Sequence, residues 1–180
     1  MKRAKTIFLL SIIICSAYKS QAQAYKIEQA FTLNESSVVE GMTYDPVGKN
    51  FYFGEDHNFR ILRYTFAGKP AGFIDASKDG MTAVLGMTVS TQTHQLWVCG
   101  AIREDTVQVQ CVFQYDLKDG KLIRRYPDTS RKAKLFNDVG ITDDGSVFVT
   151  DTYTKSLFKV DPVAGVAVQY LQDDLLQYGN

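Results

Sequence analysis

The chain has 180 residues and sets 20 Lys and Arg against 20 Asp and Glu. A balanced charge with no basic stripe argues against a nucleic-acid partner, which calls for a positive face. After the first two dozen residues there is no apolar run of bilayer length and no polybasic patch, so no membrane role is expected of the folded part.

The first 24 residues read as a removable address. Lys2, Arg3 and Lys5 precede the apolar residues 7–15, and Gln21-Ala22-Gln23-Ala24 follows. A basic start, a short apolar core and a small-residue site describe a secretory signal peptide. Cys15 does not read as a lipoprotein acceptor, because bulky Ile14 stands before it. Cleavage after Ala24 is expected, giving a secreted or periplasmic chain with no membrane span. It removes Lys2, Arg3, Lys5 and Lys19 and no acid, which leaves 16 basic and 20 acidic residues and a formal charge of −4.

In the rest, residues 25–33 alternate loosely and read as a lone strand, and 34–37 as a polar turn. Then one unit recurs three times. Residues 40–55 read EGMTYDPVGKNFYFGE, 85–100 read LGMTVSTQTHQLWVCG, and 135–151 read LFNDVGITDDGSVFVTD. Glu40, Leu85 and Asn137 share a column, as do Tyr44, Val89 and Ile141, and Phe53, Val98 and Val149. The starts are about 45 and then about 52 residues apart. Repeats of that period with several short strands each point to propeller blades.

The predicted strands of the first blade are 41–44, 51–54, 60–66 and 71–74, with Asp45-Pro46-Val47-Gly48 as a turn. Those of the second are 87–89, 96–99, 109–116 and 121–126, with a hairpin at Lys118-Asp119-Gly120. Those of the third are 139–141, 147–150, 156–161 and 166–171. Phe, Tyr, Val and Ile fill these segments, as half-buried pleated surfaces favour, and no helix is expected. The blades span about residues 38–80, 82–130 and 133–175 of a partial propeller domain, 25–180. Propellers close with four to eight blades. Three leave exposed edge strands, an aggregation hazard, so a fragment of a longer protein is expected, or a domain that oligomerises into a ring.

Cys99 and Cys111 flank residues 100–110, read as a loop between adjacent antiparallel strands. A disulfide, which export permits, and a pair of buried free thiols both remain open. Neither the spacing nor a neighbouring His suggests a zinc site at the cysteines.

Glu40-Gly41 before an inner strand, Tyr44-Asp45-Pro46, Leu96-Trp97-Val98-Cys99 and Asn137-Asp138 resemble the secreted bacterial relatives of gluconolactonase and regucalcin (senescence marker protein), over about residues 35–180. The resemblance implies a six-bladed propeller, a divalent cation in its central tunnel, either Ca²⁺ or Zn²⁺, and hydrolysis of a small-molecule lactone or related ester. By the same resemblance Glu40 matches the first metal ligand, Asn137 the second and Asn180 the third. The family's Asp ligand and base falls beyond residue 180. A carboxylate with amide oxygens is also a sound hard-oxygen site on chemical grounds.

Strands alternate in direction, so the loops joining second and third strands share a face with the start of the inner strand. Asp56, His57 and Asp151 are therefore expected at the same mouth, as candidate substrate-binding residues. Asp138 reads as a turn residue behind the ligands, His94 lies at the opposite face, and Trp97 and Tyr115 read as core. Two other functions stay in view. One is a non-enzymatic propeller that binds a sugar, peptide or protein. The other is a metal-free relative of strictosidine synthase. An Asp at the head of a later inner strand would favour the hydrolase.

Overall fold

The structure, a computed structural model, describes residues 26–33, 38–66 and 68–176. The leader, its cleavage site and Asn180 lie outside these residues. The chain divides into two units, Met1–Thr32 and Leu33–Asn180. In the first, the described residues form no strand. They are held locally, by an ion pair between Lys26 and Glu28 and a hydrogen bond from Gln29 Nε2 to Thr32 Oγ1 of 2.6 Å. The loose alternation from residue 25 predicted a strand, but alternation makes a strand only where a neighbour completes the ladder.

The second unit is a partial β-propeller of three four-stranded antiparallel sheets. β1 (Val39–Asp45), β2 (Asn50–Glu55), β3 (Arg60–Thr65) and β4 (Ala71–Asp75) form blade one. β5 (Met81–Ser90), β6 (Gln95–Glu104), β7 (Val107–Asp116) and β8 (Leu122–Pro127) form blade two. β9 (Phe136–Ile141), β10 (Val147–Asp151), β11 (Ser156–Asp161) and β12 (Val166–Gln172) form blade three. Each sheet runs in chain order, and the first strand of each is innermost, with β5 between β1 and β9. Two short 3-10 turns, Ala76–Asp79 and Asp174–Leu176, are the only helical segments among the described residues, and none is long enough to cross a membrane.

One turn design recurs. Asp45 Oδ1 accepts the N–H of Val47, Asp116 Oδ1 that of Lys118, and Asp161 Oδ1 those of Val163 and Ala164. Each turn then closes on a left-handed residue, Lys49, Gly120 or Gly165. The aspartate mimics a backbone turn, and the closing residue brings the chain back into the ladder.

Blade two is buried on both faces, which explains the unbroken apolar run 96–99. Leu96 and Val98 pack with Tyr52, Ile61 and Ile74 of blade one. Trp97 and Cys99 pack with Phe136, Val149 and Phe158 of blade three. A large apolar side chain so buried contributes about 1.5–3 kcal/mol.

The segment 100–110 is not a loop: β6 runs on to Glu104 and β7 starts at Val107. Its buried residues, Gly100, Ala101, Val109 and Gln110, lie at the base of a long hairpin whose tip, residues 103–108, is exposed. Cys99 pairs with Val112 and Cys111 with Gly100, so the two thiols point to opposite faces of the sheet. Both are free and buried. Burial raises both thiol pKa values, that of Cys111 to about 12.

The inner strands meet backbone to backbone. A Cβ on Gly86 would lie 2.5 Å from the carbonyl oxygen of Asn137 and 2.6 Å from Cα of Asp138. One on Gly41 would collide with the carbonyl of Leu85. Gly86→Ala must therefore push β9 from β5, and we expect a loss of about 1–3 kcal/mol, read as a lower urea midpoint. An alanine variant as stable as wild type would disprove this contact.

Candidate functional site: the axial groove

Every inner strand bulges in the same column. In β1, Val39 pairs with Glu55 and Gly41 with Gly54, so Glu40 is an extra residue. In β5, Leu85 and Gly86 stand between the pairs Val84–Gly100 and Met87–Val98, where β6 has only Cys99. In β9, Asn137 and Asp138 stand between the pairs Phe136–Asp151 and Val139–Val149, where β10 has only Thr150. Such bulges bend a strand and re-aim its side chains. Together they open a groove of about 250 Å³ lined by Glu40, Gly41, Met42, Gly86, Met87, Asn137 and Asp138.

Glu40 and Asn137, from blades one and three, thus reach one groove. Leu85 does not line it, and its side chain packs toward the core between blades two and three. Asp138 lines it as well. Its Oδ1 accepts its own neighbour's N–H, Val139, at 2.9 Å, and its backbone N–H donates to Thr150 Oγ1 at 3.1 Å.

The bulged residues are held from outside. Asp56 Oδ1, on blade one, accepts the N–H of Val84 at 2.9 Å. Gln110 Oε1, on blade two, accepts the N–H of Phe136 at 2.9 Å. Val84 and Phe136 occupy the same column, one residue before the bulge. Blades one and two therefore each lend a side-chain oxygen to the inner strand of the next, just where the groove begins. The sequence gives no sign of the Gln110 clamp, because a lone Gln in a strand has no distinctive pattern.

Asp151 is buried at the end of β10, and its carboxylate accepts four backbone N–H groups. Lys134 donates at 2.6 Å, Leu135 at 3.4 Å, and Tyr153 and Thr154 at 3.1 Å each. It fixes the segment that leads into Asn137. The register places Glu55 beside Val39 and Asp151 beside Phe136, so the loops after β2 and β10 share the edge at which β1 and β9 begin. Asp56, His57 and Asp151 lie along that edge, and none of them lines the groove. His57 is exposed there. At the opposite edge His94 Nε2 meets the buried Asp45 at 3.3 Å and ties the first turns of blades one and two.

The groove's donors are oxygens, the Glu40 and Asp138 carboxylates and the Asn137 amide. That all-oxygen set suits a hard cation such as Ca²⁺, and among the described residues no His or Cys lines the groove. It supplies only part of the six to eight oxygens that calcium takes. No group of three or more His, Cys, Asp or Glu is placed to hold a metal among the described residues.

This architecture defines the class of protein as a β-propeller, present in part. No protein-family model matches the chain, and no curated protein matches it in sequence. Solved structures share the fold at low identity. Hydrazine synthase from Kuenenia stuttgartiensis aligns at a TM-score of 0.59 with 13% identity, over 83% of this chain and 40% of that one. A gluconolactonase from Xanthomonas campestris aligns at 0.54 with 15% identity, over 77% and 49%. A calcium-binding regucalcin from Agrobacterium tumefaciens aligns at 0.50 with 19% identity, over 79% and 50%. The chain spans half or less of the length of each.

Asp151→Ala would take the acceptor from four part-buried backbone N–H groups, each costing at most about 1–3 kcal/mol. We expect a total loss of roughly 3 kcal/mol or more in chemical denaturation. A loss under 0.5 kcal/mol would show that the carboxylate does not hold the approach to Asn137.

Proposed function

We propose that the chain is part of an exported, divalent-cation-dependent hydrolase of a small lactone or related ester, with the axial groove as its cation site. The observation that carries this reading is the meeting of Glu40 and Asn137, from two different blades, in one groove on the axis. Fold neighbours named gluconolactonase and regucalcin support it. Glu40 would supply a charged ligand and Asn137 a neutral carbonyl oxygen. Asp138, braced against Gly86 and the Val139 N–H, would set the negative potential of the wall. Asn180, in the segment after blade three, is proposed as a further amide ligand. When bound, such a cation polarises an ester carbonyl and lowers the pKa of a water. Asp56 and Asp151 shape the mouth through the backbone they hold, and exposed His57 is the rim residue open to a substrate.

Calorimetry with CaCl₂ and with ZnCl₂, on wild type and Glu40→Gln, tests the site. We expect weak binding with calcium preferred, and at least a tenfold loss in Glu40→Gln, because the substitution removes a formal charge from the groove. Lactone hydrolysis by the whole protein should fall with chelator and in Glu40→Gln. Activity that survives both would remove this reading.

A second reading, a propeller that binds a sugar, peptide or protein without chemistry, is favoured by a larger groove of about 470 Å³. It lies between blades two and three, and its lining includes Trp97, Gln114 and Tyr126. Trp97 is the sole tryptophan, so its fluorescence reports on this groove. Saturable quenching by glucose or maltose with no lactone hydrolysis would favour the second reading over the first.

A further inference from the structure

The turns that close the inner hairpins differ at one position, and the difference decides how neighbouring blades meet at that edge. Tyr44, Val89 and Ile141 share a column and pair with Phe51, Leu96 and Val147. Asp45, the residue after Tyr44, meets His94 of blade two, two residues before Leu96, at 3.3 Å. Where blades two and three meet, the corresponding residues are Ser90 and Gly145. His94 and Gly145 both take a left-handed backbone, at φ of 55° and 82°. A Cβ built on Gly145 would meet no atom within 4 Å. Ser90 and Gly145 cannot form the latch of the first junction, and both line the groove of about 470 Å³ at the second.

Two hydrogen bonds span this junction from blade two to blade three. Gln92 Nε2 donates to the carbonyl oxygen of Asp143 at 3.0 Å, and Arg124 Nη1 to that of Pro162 at 2.7 Å. The blade-two wall carries a polar relay. Tyr126 Oη donates to Gln114 Oε1 at 2.6 Å, and Gln114 Nε2 donates to Gln95 Oε1 at 2.8 Å. Both donors point the same way, so the relay ends on the Gln95 amide nitrogen, which has no acceptor among the described residues. Gln114 and Tyr126 are 8% and 3% exposed, which fixes the relay before any ligand arrives. Ile141, Val147 and Val160 of blade three form an apolar wall. One acid and one base line the groove, Asp144 and Lys159, and Asp144 is already engaged by Thr142 and Ser146.

We infer that this groove binds a neutral pyranose sugar, with its hydroxyls on the glutamine amides and its C–H face on the apolar wall. Amides held in a row offer donors and acceptors together, as neighbouring hydroxyls require. A few placed polar groups on an otherwise apolar lining make a small-molecule site, and the volume is of that class. The balanced charge favours an uncharged sugar over a sugar acid. The inference rests on the binding reading only in taking this groove as a ligand site, and it names the ligand. Because the groove lies at the edge opposite the residues Asp56, His57 and Asp151, sugar binding and cation chemistry can coexist in one chain.

The test follows Trp97 fluorescence as glucose, maltose, gluconate or trialanine is added to the chain in chelator. We expect a saturable change at millimolar glucose or maltose and none with gluconate. Gln95→Leu should weaken sugar binding about tenfold or more, because it removes the open amide. Gly145→His, which puts back the latch residue on a backbone that His94 already adopts, should abolish it. Both variants should keep the wild-type far-ultraviolet spectrum, and Gln95→Leu, at a half-buried position, keeps the test readable if Gly145→His does not fold. Glu40→Gln should leave sugar binding unchanged. No saturable change with either sugar would overturn the inference, as would an equal response to gluconate or undiminished binding in either folded variant. A response to trialanine without one to sugar would overturn it and leave the non-enzymatic binding reading standing. Sugar binding alongside lactone hydrolysis would remove that reading and leave this inference standing.

Discussion

Main chain lies against main chain where the inner strands meet, and the rest of the architecture follows from that contact. A propeller needs its innermost strands closer together than its outer ones, and side chains stand in the way. Gly41 and Gly86 remove that obstacle, letting β1 approach Leu85 and β5 approach Asn137 and Asp138. Farther out the gaps widen and are filled by large side chains, Tyr52 and Phe113 between the first two blades and Trp97 and Phe158 between the next. Small residues at the axis and aromatic ones away from it are the two halves of one wedge.

The same contact creates the groove. Each inner strand carries one residue more than its partner at this level, and the bulge turns that residue out of the ladder. Buried and half-buried polar side chains keep the bulges in place. Asp56 and Gln110 reach from one blade to the next, and Asp151 gathers the chain entering β9. A buried carboxylate that accepts several N–H groups acts as a structural peg, and a surface that needs precise oxygen placement gains from such rigidity.

Much of the fold was legible because it is a repeat. The Glu40, Leu85 and Asn137 column, the turn residues and the unbroken run 96–99 each carried a physical signal, and the strands lie where those signals put them. The segment 100–110 looks like a loop because its polar residues cluster, and most of them form the exposed tip of a long hairpin. The open question at Cys99 and Cys111 turned on a register one residue off, which no spacing rule fixes. That Glu40 and Asn137 face the middle of the ring was legible from their shared column, and both line the groove there. The bulge was not, because it is a property of strand pairing. Leu85 shows the consequence: it shares the column, yet its side chain turns to the core. Asp56 and Asp151 look in sequence like rim acids open to a substrate, and only the hydrogen bonds reveal the backbone groups they hold.

The proposal that Glu40 and Asn137 hold one cation is tested most directly by adding Mn²⁺ to isotopically labelled protein and following backbone amide signals. Paramagnetic broadening falls steeply with distance from the ion, so it maps the site without relying on catalysis. Early broadening should centre on Glu40, Gly41, Gly86, Asn137 and Asp138, and should weaken in Glu40→Gln. Broadening centred elsewhere, or spread evenly over the surface acids, would contradict a cation site on the propeller axis.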